Sequence, residues 1–330
     1  MACPFIGNQR TIPLDPDAEN EKPSFSDFHS IDTTLSSSGP SEKPKSPEYG
    51  LDTANFNQAF LSSTFDPKHM SKIVREAIII AAGPAAILLQ VANPGVAAGV
   101  NRHSNFAYRV EDRLRTTMTF VYCMAFGTPD EKRAVIHMVH EAHKPVAGEG
   151  YSADDVDLQM WVAATLYATG TDIYSKIFGE FSEEEAEAIY ADYAVLATSL
   201  RVPPERWPKS RKAFWKYWDE SLAGFTVTQD AVAVKNDMLY NKTLPLWVRM
   251  HLPILRVATA EWLPGHIREA YGWKKESRGR RVGYWMLNAV VQSTYPNLPR
   301  KWRYKAVDFY LSDMRKRLAT GGPVIGGKKE

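Results

Sequence analysis

Histidine is the residue type with the most chemistry to offer in this chain. Eight occur, and three cluster as His137, His140 and His143. Steps of three along a helix turn each side chain by about 60°, so the outer two of the three diverge by roughly 120°. That spacing does not let all three close on one metal ion, and it predicts one imidazole turned inward and two turned to solvent. Lys144-Pro145 follows His143, and a residue just before a proline leaves helical geometry. His143 therefore falls in the last turn of its helix, where a side chain can project into a pocket. It reads either as a satisfied core histidine or as a ligand.

A second polar island lies at Arg113, Arg115, Thr116 and Thr117, inside an otherwise apolar run from Val110 to Phe126. Arg113 and Thr117 are four apart and share a helix face. One reading is an ion pair with Asp112 or a neighbouring helix. The other is a cationic and hydroxylic donor set aimed into a cavity, suited to anchoring an anion or polarising bound oxygen.

Several chemistries drop out. There is no GxSxG elbow, no GxxxxGK[ST] loop and no GxGxxG fingerprint. His140-Glu141-Ala142-His143 is one residue short of HExxH. A carboxylate di-iron bundle needs Glu-x-x-His on two helices; Asp66-Pro67-Lys68-His69 is the nearest approach. Cys3 and Cys123 are the only two cysteines, which excludes a disulfide framework or a cysteine-rich zinc site and favours a reducing compartment. Asn241-Lys242-Thr243 is a glycosylation sequon that is expected to be silent.

The elements that must position these groups read as helices. With 330 residues, 44% hydrophobic and 24% charged, the chain suits one large globular domain rather than a disordered or polytopic membrane protein. Residues 1–50 are Ser/Pro-rich and are expected to be disordered. Residues 51–320 are expected to form the helical domain, and 321–330 a flexible tail. Thr128-Pro129-Asp130-Glu131 and Ser182-Glu183-Glu184-Glu185 have capping-box form. Ser152 is placed to cap a helix carrying Val156, Met160, Val162, Leu166 and Tyr167. Further helices fit 210–222, 226–240, 281–293 and 299–318. Alternating strand patterns are missing, and the fold class is all-α.

Ala77–Val100 holds 24 residues without a charge, long enough to span a bilayer. Gly83-Pro84, Gln90 and Asn93-Pro94 interrupt it, so a buried core helix ending near Asn93-Pro94 is expected instead. The net charge of +2 hides an asymmetry: 5 Lys/Arg against 10 Asp/Glu in residues 1–70, and 14 against 4 in residues 271–330. No nucleic-acid footprint emerges. The basic C-terminal region reads as a solvated helix face or as a peripheral contact with anionic lipid. Lacking a signal-peptide pattern at its start, the chain is expected to be cytoplasmic, at most peripheral to a membrane, and not secreted.

Six blocks in order resemble the mpaB-type and rubber (latex-clearing) oxygenase catalytic domain, over about Ile73 to Lys305. They are GPAAILLQVANPGVAAGVNRHSNF (Gly83–Phe106), RLRTT (Arg113–Thr117), FGT (Phe126–Thr128), HKPVAG (His143–Gly148), LPGHIREAYGW (Leu263–Trp273) and YPNLP (Tyr295–Pro299). The resemblance implies a single globin-like, all-α haem domain that binds haem b and its iron through His143. It implies Arg113 and Thr117 as the distal pair, with Thr116 standing where rubber-cleaving members carry lysine. A neutral hydroxyl does not supply the ammonium charge, which puts polyisoprene cleavage in doubt. His103, in the His-Ser-x-Phe block, is a rival ligand. The implied function is a haem-dependent oxygenase that uses O₂ on a C=C bond of a hydrophobic, terpenoid-like small molecule, in secondary metabolism. Hydroxylation or epoxidation is a second outcome, and a haem- or lipid-binding module without turnover is the alternative from another class.

Overall fold

The computed structural model describes residues 61–103, 110–244, 246–274, 276–322 and 324–325. The segment expected to be disordered, residues 1–50, lies outside the described residues, as do 326–330 of the expected tail. The all-α expectation is met: the helices are α1 (Met70–Val74), α2 (Gly83–Gln90), α3 (Pro94–His103), α4 (Val110–Phe126), α5 (Pro129–His143), α6 (Val156–Phe178), α7 (Glu183–Ser199), α8 (Arg211–Gly224), α9 (Gln229–Leu239), α10 (Leu246–Trp262), α11 (Gly265–Ala270), α12 (Arg278–Thr294), α13 (Arg300–Arg303) and α14 (Lys305–Ala319). Among the described residues, the strands β1 (Ala147–Gly148) and β2 (Tyr151–Ser152) form one antiparallel hairpin, pairing Ala147 with Ser152 and Gly148 with Tyr151.

α6 is buried around most of its circumference, which marks it as the central helix. It packs against α1, α2, α7 and α12, while α4 packs against α5, α7 and α14 and α3 lies along α9. Between α6, α7 and α8 the core is aromatic. Tyr167 meets Phe214 edge-to-face at 4.8 Å, and Trp161 lies 4.9 Å from Trp218. Each such fully buried side chain stabilises the fold by about 1.5–3 kcal/mol.

Local side-chain chemistry sets some of the helix starts and not others. Thr128 and Glu131 form the full capping box of α5. Ser182 caps α7 through the Glu185 amide, but the Glu185 carboxylate pairs with Lys72 across the fold instead of closing the box. Ser152 does not cap α6. Asp155 does, accepting from the Asp157 and Leu158 amides at 2.9 and 3.0 Å. Ser152 belongs to the hairpin, because pairing with Ala147 holds it extended three residues too early. The 299–318 stretch is two helices that share Tyr304 as cap, at the point where Arg303 turns inward to Glu76 at 2.6 Å and to the Pro296 carbonyl.

The expected single core helix across Ala77–Asn93 is broken. A 3-10 turn covers Ala77–Ala82, Pro84 opens α2, and the chain breaks after Gln90. Asn93 then accepts from the Gly95 and Val96 amides and starts α3. No single helix among the described residues is long and apolar enough to cross a membrane; the pair Ala77–Gln90 and Pro94–His103 has the length and composition but is bent by 111°. Both halves pack in the protein core, with Leu88, Leu89 and Ala97 fully buried.

Candidate functional site

Four helices and the hairpin enclose a mainly apolar cavity of about 370 Å³. Each helix contributes a stripe at helical spacing. α4 supplies Arg113, Thr116, Thr117 and Phe120, and α5 supplies Val139, Ala142 and His143. α6 supplies Leu158, Gln159, Val162 and Leu166. Gly95, Val96, Gly99, Val100 and His103 of α3 complete the wall beside Tyr151 of β2. The size falls in the range of about 300–1,000 Å³ usual for small-molecule and cofactor sites.

His143 is the last residue of α5, with Lys144 as its cap and the Val146 amide donating to its carbonyl at 2.8 Å. Burial lowers its pKa below the usual histidine value; Asp154 opposes that shift and Arg113 reinforces it. The imidazole is therefore neutral at pH 7, the form in which a histidine ligates metal. Burial also brings the Arg113 pKa down to about 10, against the attraction of Asp112. Arg113 stays cationic at neutral pH.

Thr116 donates its hydroxyl to the Arg113 carbonyl at 3.0 Å, which leaves its oxygen as an acceptor. Thr117 is exposed to the cavity space. Arg115 turns away from the cavity, pairing with Asp112 at 2.5 Å and reaching the Val324 carbonyl at 2.7 Å. Within the segment expected to be a loose tail, Val324 is thus buried and Ile325 lines the cavity.

All four residues singled out from sequence, Arg113, Thr116, Thr117 and His143, line this one cavity. So does the rival His103, whose Nε2 lies 3.0 Å from the Tyr151 hydroxyl. The histidine trio departs from expectation, since none of the three is exposed. His140 is covered by the hairpin region, its Nδ1 3.6 Å from Asp154, and only His143 of the three reaches the cavity. Sequence reasoning missed Gln159 and Tyr151. Gln159 is buried, donates to the Ala153 carbonyl at 2.8 Å, and has no partner for its carbonyl oxygen. That oxygen is an acceptor in the wall for a hydroxyl or a water. The signal available for Gln159 was its place in the stripe with Val162 and Leu166; Tyr151 had none.

Among the described residues, no three His, Cys, Asp or Glu side chains gather to hold a metal ion. His143 offers one neutral imidazole on an apolar cavity, the donor set for a metal whose other ligands come from a chelating cofactor.

The described residues thus form a helical domain around a cavity of small-molecule size, with an imidazole on α5 and a cation with two hydroxyls on α4. The chain belongs to the family described as ER-bound oxygenase mpaB/B′/rubber oxygenase, catalytic domain, whose family model matches residues 71–293. That family places it among the oxygenases. Uncharacterized proteins of Mycobacterium bovis and Mycobacterium tuberculosis are each 29% identical to it over 253 residues, covering 73% of this chain and 99% of the relative. No solved structure matches.

Proposed function

We propose that this protein is a haem b-dependent oxygenase that uses O₂ to oxidise or cleave a C=C bond of a hydrophobic, terpenoid-like small molecule. The observation that carries the reading is the convergence of His143 with Arg113, Thr116 and Thr117 on one apolar cavity of about 370 Å³. A neutral imidazole, apolar walls and a cation on the cavity wall fit a b-type haem, which His143 would hold through its imidazole. When bound, haem supplies the activation of dioxygen.

The protein's own groups have separate tasks. Val139, Val162 and Leu166 exclude water and hold a hydrocarbon substrate. Arg113 offers a fixed positive charge to negative charge that develops on oxygen, and Thr117 offers a hydroxyl donor. Thr116 is the departure from the rubber-cleaving pattern. With threonine here, the cavity carries one cation from this stripe rather than two, which favours a substrate and outcome other than polyisoprene cleavage.

The test is the visible spectrum of protein expressed with a haem supply, followed by a pyridine haemochrome assay. About one b-type haem per chain is expected in the wild type, and His143→Ala should lose it while its helical circular dichroism stays intact. Absence of haem after reconstitution would sink the proposal. Haem retained in wild type without O₂-dependent consumption of any isoprenoid would leave a carrier rather than an oxygenase.

A further inference from the structure

The exposed large apolar side chains of the described residues are not scattered. Apart from Tyr240, all of them lie between Leu246 and Phe309. On α10 they fall at Leu246, Met250 and Ile254, 70%, 69% and 53% exposed, a stripe with a period of four. On α12 they fall at Val282, Trp285, Met286 and Val290, all more than half exposed. The opposite face of α12 turns Tyr284, Leu287 and Val291 toward the core. The helix is thus apolar on both faces, and only one of them is used by the fold.

α10 and α12 pack against each other: Arg280 pairs with Glu261, a Cβ on Gly283 would lie 3.9 Å from Val257, and Trp262 donates to the Tyr284 hydroxyl. Two neighbouring helices thus each carry an exposed apolar stripe. Monomeric soluble proteins rarely leave such a face bare.

Charge decides what covers it. From Arg278 to Lys305 the sequence has seven Lys/Arg and no Asp or Glu. Arg280 and Arg303 turn inward to Glu261 and Glu76, while Arg278, Arg281, Arg300, Lys301 and Lys305 are exposed. A two-fold dimer through this face would set like charge against like charge. Apolar side chains in the plane of two surface helices, tryptophans at 70% and 61% exposure (Trp285 and Trp302) and a basic border are what a helix lying in an anionic lipid interface requires.

We propose that the α10–α12 face docks this protein on a membrane surface rich in anionic lipid, with Met250, Ile254, Trp285 and Val290 entering the interface and the border arginines and lysines meeting the headgroups. The inference is independent of the haem assignment. It is tested by co-sedimentation of the full chain with vesicles of phosphatidylcholine alone and with about one third phosphatidylserine. Binding is expected to the anionic vesicles, to weaken about tenfold or more when salt is raised several-fold, and to fall at least about tenfold in Met250→Ser/Trp285→Ser/Val290→Ser. All three positions are exposed, so unchanged circular dichroism is expected. Arg278→Gln/Arg281→Gln should lose the preference for phosphatidylserine. Equal binding to both vesicle types would overturn the charge assignment. No binding to either would overturn the proposal, and a dimer in sedimentation velocity that the triple variant dissolves would make the face a contact between copies.

Discussion

Arg113→Met should make the ligand-free protein more stable, although it removes a residue assigned to the reaction. Burial brings the folded-state pKa of Arg113 down from the ordinary arginine range to about 10. At about 1.4 kcal/mol per pH unit, that depression puts roughly 3 kcal/mol as the upper bound on holding the cation in the folded chain. Arg113 lines a cavity and keeps partial exposure, which screens part of this, so a gain of about 1–2 kcal/mol is expected. For a domain of this size that corresponds to a rise in melting temperature of about 2–8 °C. The pH dependence has a definite sign. Because the folded pKa is depressed, the penalty is fully present below about pH 10 and is relieved as pH rises through that value. The difference between variant and wild type should therefore be flat from about pH 6 to 9. Thermal melts by circular dichroism at three pH values measure it. Destabilisation by more than about 1 kcal/mol would refute the reasoning and make Arg113 a structural ion-pair residue, the other reading its sequence context allows.

Four further outcomes follow from the same geometry. His143 has a folded pKa held below its usual value by burial, so the stability it confers is present above about pH 6.5 and is lost as pH falls toward the folded pKa; His143→Phe should flatten that limb of the acid-unfolding curve. His103→Ala should keep full haem occupancy in the haemochrome assay, because Nε2 of His103 is engaged by Tyr151, and loss of haem would transfer the ligand role to it. Thr116→Lys sets a second cation near Arg113 and should lower the stability of the ligand-free chain by about 1 kcal/mol in urea unfolding. Glu76→Gln leaves Arg303 without its buried carboxylate at 2.6 Å, for a loss of about 3 kcal/mol or more and a melting temperature lower by about 6 °C or more.

The parts legible in the sequence are those governed by local chemistry. Thr128 to Glu131 writes a capping box in four letters, and Pro145 ends α5 two residues after His143, so the start and end of that helix could both be placed. Arg113 and Thr117 could be set on one helix face from spacing alone, and with Thr116 and Phe120 they share one cavity wall. What was not legible depended on partners distant in the chain. Ser152 has the chemistry of a helix cap, and only its pairing with Ala147 shows that it belongs to the hairpin instead. Two of the three clustered histidines are expected at the surface because nothing local shows that the hairpin brings Asp154 to within 3.6 Å of His140. Arg115 takes Asp112, and the Val324 carbonyl that helps hold it there lies 209 residues away.

The break after Gln90 connects fold and site. An apolar run of this kind gains most by continuing as one helix, so its ending must leave no buried carbonyl unpaired. Here the carbonyls of Leu88 and Leu89 accept from the Tyr271 hydroxyl at 2.7 Å and from Trp161 Nε1 at 2.9 Å. Asn93 then caps the next helix at its amides. The helix end is therefore fully satisfied, and the chain turns by 111° at little cost in hydrogen bonds. That turn lays α3 across the cavity, where Gly95 and Gly99 let Leu158, Val146 and Tyr151 approach the backbone. A Cβ at Gly95 would fall 2.9 Å from Leu158. A straight helix through Asn93 would carry Gly99 and His103 away from His143 and Arg113. The Leu88 and Leu89 carbonyls also accept from the Ala92 amide, so Trp161 and Tyr271 add second donors that brace the turn giving the site its α3 wall.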